Sequence, residues 1–205
     1  MDYNKLATKE SVEKTIEALK ARNVEAMFVP SGGEALRKIK ELIPKGASVM
    51  NGSSVTLEQI GFVDYLKSGA HDWNNLHEAI LAEKDPVKQA VLRKQSVLSD
   101  YYLGSVHALA ETGEFVIASN TGSQLPHIVF TSSNLIFVVS TKKIVPTFAD
   151  TFKRLDEHVM PLENEHIMKK YGRGTQQNKV LVFKGESSMM GRKVTMILVN
   201  EDLGF

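Results

Sequence analysis

Residues Val24–Met50 read VEAMFVPSGGEALRKIKELIPKGASVM, and this stretch decides the fold class. Val24–Val29 is a short, almost unbroken apolar run stopped by Pro30, the pattern of a strand buried on both faces. Ser31-Gly32-Gly33 then opens a helix whose Leu36, Ile39 and Ile43 fall on one stripe, and Pro44 and Gly46 stop it. Ala47–Met50 follows as a second short strand. Strand, helix and strand in one such span make a βαβ unit, which requires parallel pairing and a right-handed crossover. The expected fold is therefore α/β, a mostly parallel sheet flanked by helices.

Working outward, Val12, Ile16 and Leu19 recur at i, i+4 and i+7 and predict a one-sided helix over Lys9–Ala21. Downstream, a helix closes near Ser68-Gly69, and the segment AHDWNNLHEAILAEKDP (Ala70–Pro86) reads as a surface or lid piece with Trp73 as a packing anchor. Its His71 and His77 are six apart, off any common helical face, so the pattern gives a metal site no support. Pro86 with Val87, Val91 and Leu98 predicts a long amphipathic helix to about Tyr101. NLIFVVS (Asn134–Ser140) is a buried strand, followed by a helix carrying Phe148, Phe152 and Leu155. Val180–Phe183 and Val194–Val199 are the last strand-like runs. A single domain over residues 1–205 is expected, with residues 1–23 as an N-terminal helix and 161–178 as a mobile loop segment.

Composition narrows the function classes. At 205 residues and 22.7 kDa the chain is long enough to bury roughly 70% of its unfolded surface. It has no cysteine, which removes disulfides, thiolate nucleophiles and cysteine-held clusters; redox chemistry would need a cofactor, of which the sequence identifies none, or a partner. Lys plus Arg is 25 against 24 for Asp plus Glu, so no single-sign field points to nucleic acid or an anionic membrane. The N-terminus lacks a signal-peptide pattern and no window approaches a membrane span, so a soluble cytoplasmic protein is expected.

In such a fold ligands sit beyond the carboxyl ends of the strands, which directs attention to loops. Asn51-Gly52-Ser53-Ser54 places hydroxyls and a glycine just before a helix start, with Thr56-Leu57-Glu58-Gln59 reading as a capping box. VHALAETGEFVIASNTGSQLP (Val106–Pro126) reads as strand, polar turn, strand, polar loop. Its Glu111, Thr112 and Gly113 at the turn, and Asn120, Thr121, Gly122 and Ser123 at the loop, supply acceptors, donors and close backbone approach beside one another. Tyr171-Gly172-Arg173-Gly174-Thr175 could bring Arg173 to an anion.

Four stretches carry a family likeness: NGSSVTLEQIG (Asn51–Gly61), AETGEFVIAS (Ala110–Ser119), IFVVSTKKIVPTFADTF (Ile136–Phe152) and VTMILVNEDLGF (Val194–Phe205). Together they resemble the LUD (lactate utilisation) domain. The resemblance implies a fold similar to the glucosamine-phosphate isomerase, ribose-phosphate isomerase and CoA-transferase group (NagB/RpiA/CoA-transferase-like), and a bacterial or archaeal role associated with oxidising L-lactate to pyruvate. Larger relatives carry cysteine clusters that this chain lacks, and Glu114 stands where another Thr is common in the family.

Three functions are compatible with these readings. The chain binds a small anionic metabolite with the loops at Asn51–Thr56, Glu111–Gly113 and Asn120–Ser123; or it is an acyl/CoA-transferase-like or sugar-phosphate-type enzyme in which Glu111 acts as nucleophile or general acid/base; or it is an interaction subunit, a homodimer joined through its apolar C-terminal strand and Leu203-Gly204-Phe205.

Overall fold

The computed structural model describes residues 1–205. Ten strands run along the chain: β1 (Glu25–Val29), β2 (Ser48–Asn51), β3 (Asn74–Asn75), β4 (Tyr101–Gly104), β5 (Ala108–Ala110), β6 (Phe115–Ser119), β7 (Asn134–Ser140), β8 (Ile144–Val145), β9 (Lys179–Phe183) and β10 (Lys193–Val199). The helices are α1 (Lys9–Lys20), α2 (Gly32–Leu42), α3 (Val55–Gln59), α4 (Phe62–Ser68), α5 (Leu76–Ala82), α6 (Pro86–Gln95), α7 (Phe148–Arg154) and α8 (Met160–Tyr171).

Six strands form one sheet in the order β1-β10-β7-β4-β2-β3, with every pairing parallel. The other four form a smaller sheet, β8-β5-β6-β9, built on the antiparallel β5–β6 hairpin. Side chains of β7 and β10 alternate between two cores. Leu135, Phe137, Val139, Met196 and Leu198 pack with Leu109, Phe115 and Ile117 of the small sheet and with Val12 and Leu19 of α1. Ile136, Val138, Ile197 and Val199 pack on the other side with Ala35, Ile39, Leu57 and Phe62 from α2, α3 and α4. The period-2 alternation of strands thus feeds both layers from one pair of central strands.

The α/β expectation holds, with instructive differences. β1 and β2 lie parallel in one sheet but do not pair, because β10, β7 and β4 stand between them. The longer apolar runs NLIFVVS and KVTMILV occupy the centre, and β1 is left at the edge with Phe28 at 47% exposure instead of buried on both faces. The helix predicted to reach Tyr101 stops at Gln95; a 3-10 turn over Ser96–Leu98 delivers the chain to β4, a central strand. Val87 and Val91 are exposed, and no residue of α6 is buried, so its apolar stripe is not a core stripe. Of the segment 161–178 expected as a loop, 161–171 is helical, as part of α8, which is continuous with α7 through a wider π-type turn over Leu155–Val159 and stopped by Gly172 at φ +67°; 172–178 has no regular structure. Trp73 does anchor packing, against Phe62, Tyr65 and His71, and its Nε1 donates to the Ile43 carbonyl. The run β10 lies between β1 and β7, and Leu203 is in the core, so the apolar C-terminus is used within the chain. No helix is long and apolar enough to cross a membrane.

Candidate functional site

Strands β2, β4 and β7 all end on the same edge of the sheet, and the residues that follow them meet in a cleft enclosing ≈ 600 Å³, its open mouth included. From β2 come Gly52, Ser53 and Ser54 with Thr56 of α3; from β4 come Gly104, Ser105, Val106 and His107; the turn after β7 supplies Lys143. Gln124, Glu163 of α8 and the tail residues Gly204 and Phe205 complete the walls.

Lys143 is the centre of this arrangement. It is only 4% exposed, and its Nζ lies 3.2 Å from each of Thr56 Oγ1, Ser105 Oγ and the Val106 carbonyl. No carboxylate oxygen comes within ion-pair range of it, in contrast to its neighbour Lys142, which pairs with Asp202 and donates to the Gly204 carbonyl at 2.8 Å. Burial pushes the Lys143 ammonium well below the usual lysine range, and the positive charges of Arg154 and Lys142 push the same way. Two of its three neighbours are hydroxyls, which accept or donate, so the cage holds a neutral amine as well as an ammonium.

The opposite shift faces it across the cleft. Burial raises the Glu163 carboxyl above the usual carboxylate range, only partly opposed by His166, Lys170 and Lys143 itself. His107 is a third polar group. Its Nδ1 accepts the Ala118 backbone N–H at 3.1 Å, which leaves the proton on Nε2, and burial with the nearby Lys143 and Arg154 charges holds its pKa near about 3. It is therefore a neutral donor at physiological pH. Arg154, fully buried, donates to the His107 carbonyl from beneath, while its Nε and Nη2 have no partner.

The tail closes the cleft. Lys142 holds Asp202, Gly32 N donates to Glu201 Oε2 at 2.7 Å, and Gly204 N donates to Gln59 Oε1 at 2.6 Å. Gly204 has φ +65°, and a Cβ there would sit 2.4 Å from Thr56 Oγ1 and 2.9 Å from Lys143 Nζ, so only glycine lets the tail lie against the amine. A Cβ on Gly52 would be 2.3 Å from the Tyr102 hydroxyl.

The sequence-derived residues divide between the cleft and elsewhere. Gly52, Ser53 and Ser54 line it. Ser54, not Thr56, is the α3 cap, accepting from Leu57 N at 3.3 Å; Thr56 is buried and turns its hydroxyl to Lys143. Asn51 sits at the end of β2, donates to the Gly52 carbonyl and leaves its Oδ1 without a partner beside a second, more apolar pocket that includes Val63, Leu66 and His77. Glu111, Thr112 and Gly113 are at the far end of the hairpin, against α1. Glu111 accepts from Ser11 Oγ and Lys14 Nζ, both at 2.7 Å, bonds that hold its carboxyl below the usual range despite partial burial. Arg22 holds the Thr112 carbonyl and Glu114, and a Cβ on Gly113 would strike the Ala18 backbone at 2.9 Å. Asn120 is clasped by Thr175, Asn178 and Lys179, while Thr121, Gly122 and Ser123 stay in that loop; only Gln124 reaches the cleft. Arg173 is exposed beyond α8 and does not line it. No group of three or more His, Asp or Glu side chains converges to hold a metal.

The site residues expected from the sequence do not include Lys143, Ser105, His107 or Glu163, although Lys143 lies in the family-like stretch IFVVSTKKIVPTFADTF and His107 in VHALAETGEFVIASNTGSQLP. Lys142-Lys143 carries no local sign of burial: the tail some 60 residues on holds Lys142, and Thr56, Ser105 and Val106, with Gly204 above them, enclose Lys143. Ser105 would have stood out had Tyr101–Gly104 been read as a strand, since it follows directly.

The LUD domain family model matches residues 12–187, most of the chain. The chain belongs to the LUD domain family. Among solved structures, this LUD protein is similar to a DUF162 family protein from Deinococcus radiodurans, at a TM-score of 0.55 and 12% identity over 95% of this chain and 99% of that one. That likeness shows the shared fold. No curated protein matches the chain.

Proposed function

We propose that this LUD domain binds a small anionic metabolite in the Lys143 cleft. The observation that carries the reading is a buried lysine amine with no carboxylate partner, set among hydroxyls where three parallel strands end. Ser53, Ser54 and Ser105 provide hydroxyls, His107 a neutral N–H, and Lys143 an amine that takes up a proton when an anion arrives, since a negative charge favours the ammonium. Membership of the family supports a place in lactate utilisation, the conversion of L-lactate to pyruvate, or in related carboxylate metabolism.

A thermal-shift panel of lactate, pyruvate, sugar phosphates, CoA esters and folates tests this. A ligand at about 100 times its Kd stabilises the folded state by about 2.7 kcal/mol. A shift in the wild type that disappears in Lys143→Met supports the reading; a shift of equal size in both proteins contradicts it.

A further inference from the structure

The cleft holds more than a binding site requires. An ion pair for a permanent anion is best made by an exposed or half-exposed ammonium or guanidinium, and the chain carries many of these. Here the one amine in the cleft is 4% exposed, sits beneath a glycine that leaves no room for a Cβ, has no carboxylate within ion-pair range, and lies near the positive charges of Arg154, itself without an ion pair, and of Lys142, which Asp202 pairs. These are the conditions that keep a lysine deprotonated and nucleophilic. The same cleft contains a carboxyl group displaced the other way, Glu163, and a histidine fixed as a neutral N–H donor, His107. Two titratable groups driven apart by their environments are the signature of a divided acid–base assignment.

We propose that Lys143 is a nucleophile that forms an imine with a small aldehyde or ketone carrying a carboxylate or phosphate. This rests on the reading of the cleft as an anion site: the serine hydroxyls hold the anionic end and leave the carbonyl carbon facing Nζ. The amine lone pair attacks that carbon and forms the C–N bond, while the carbonyl oxygen takes a proton and becomes a hydroxyl. The nitrogen gives up one proton to Glu163, now a carboxylate after protonating the oxygen. Glu163 then returns it to the hydroxyl, which leaves as water as the C=N bond forms. The nitrogen keeps its remaining proton, so the product is the iminium, and solvent reprotonates Glu163; amine, carbonyl and one proton give iminium and water with no oxidant or reductant consumed. His107 Nε2–H is placed to donate to the carbonyl oxygen as charge collects on it. Ser105 and Thr56 hydroxyls let the lone pair go by rotating, because beyond Lys143 the only further partner of either is the adjacent Val106 carbonyl, 3.5 Å from Ser105 Oγ.

The test is reductive trapping. The full chain is incubated with pyruvate, glyoxylate or glyceraldehyde 3-phosphate and cyanoborohydride, which reduces an iminium to a stable secondary amine, and the product is digested and its modified lysine located by mass spectrometry. The expected result is a single adduct on Lys143, formed faster than on exposed lysines by about tenfold for each pH unit by which its pKa lies below theirs, until it reaches the pH of the assay. Glu163→Gln should slow that adduct while leaving modification of exposed lysines unchanged. Adducts spread over surface lysines with Lys143 unmodified overturn the imine. Because the wild type carries the readout, misfolding of a Lys143 variant does not blur it. Thermal shifts recorded in parallel with the same three compounds, and with lactate and glycerol 3-phosphate as carbonyl-free counterparts, separate the two ideas. Shifts without a Lys143 adduct leave the binding site standing and remove the imine; absence of both removes both.

Discussion

Lys143 Nζ lies 3.2 Å from Thr56 Oγ1, so the turn after the central strand β7 is tied to the first turn of α3 across the mouth of the sheet. That single contact joins residues 87 apart in sequence and brings the polar loop after β2 to the buried amine. A methionine at position 143 keeps the volume and removes the amine. Lys143→Met is expected to cost about 1–2 kcal/mol of stability, since the buried amine disappears and Thr56, Ser105 and the Val106 carbonyl lose a partner. Chemical denaturation measures this; a loss above about 4 kcal/mol would show that the lysine is chiefly a structural tie.

Gly204→Ala places a methyl group 2.4 Å from Thr56 Oγ1 at a residue with φ +65°. The tail must lift, and with it Phe205, which lines the cleft and stacks edge-on to His166. A destabilisation of about 1–3 kcal/mol is expected, together with weaker ligand-induced thermal shifts. Gly46→Ala, at φ +80° with nothing near its Cβ, is the control for backbone strain alone.

Stability should fall on mild acidification. His127 is buried, shares its Nδ1 with the Ser99 and Ser132 hydroxyls and stacks on Tyr102; burial lowers its pKa to about 4, and that of His107 is lowered to about 3. Both are neutral in the folded chain, whereas the unfolded chain takes up protons near the ordinary value of 6.5. Their contribution is complete above pH 6.5 and is lost as pH falls from there towards 4 at about 1.4 kcal/mol per pH unit for each histidine. Melting temperatures across that range check it. His127→Gln should show a shallower decline than the wild type; an unchanged slope would exclude His127 as a source.

Glu111→Gln is expected to leave ligand binding intact and to cost about 1 kcal/mol, because Glu111 bridges the β5–β6 turn to Ser11 and Lys14 of α1 rather than facing the cleft. The folded carboxyl is held below its ordinary pKa, so its contribution is present above that value and fades as pH drops through the carboxylate range. Loss of ligand binding in this variant, with the fold retained, would return Glu111 to the site.

Local pattern explains what the sequence disclosed. Each element of the βαβ unit, the strands β7 and β10 and the hydroxyl-rich loop after β2 carry their signal within about a dozen residues, through apolar runs and turn residues. Three things did not. Tyr101–Gly104 is too short to announce itself after an amphipathic helix, though it is a central strand. The order of strands depends on which runs are most apolar overall, so β1 looked interior and is an edge. Burial of Lys143 depends on Thr56, on Ser105 and Val106, and on a tail folded back from the far end, all remote from the lysine in sequence. The Glu111-Thr112-Gly113 turn shows the converse: chemistry-bearing residues and a glycine are there because α1 packs against the turn, with Gly113 required where Ala18 leaves no room for a Cβ.

The position of the site is tested most directly by amide chemical-shift mapping while the best anionic ligand is titrated into the protein. Binding in the Lys143 cleft predicts shifts confined to Gly52–Thr56, Ser105–His107, Lys143 and Gly204–Phe205, with Glu111–Gly113 and Arg173 unmoved. Shifts centred on Glu111–Gly113 or on Arg173, with the cleft residues silent, would contradict it.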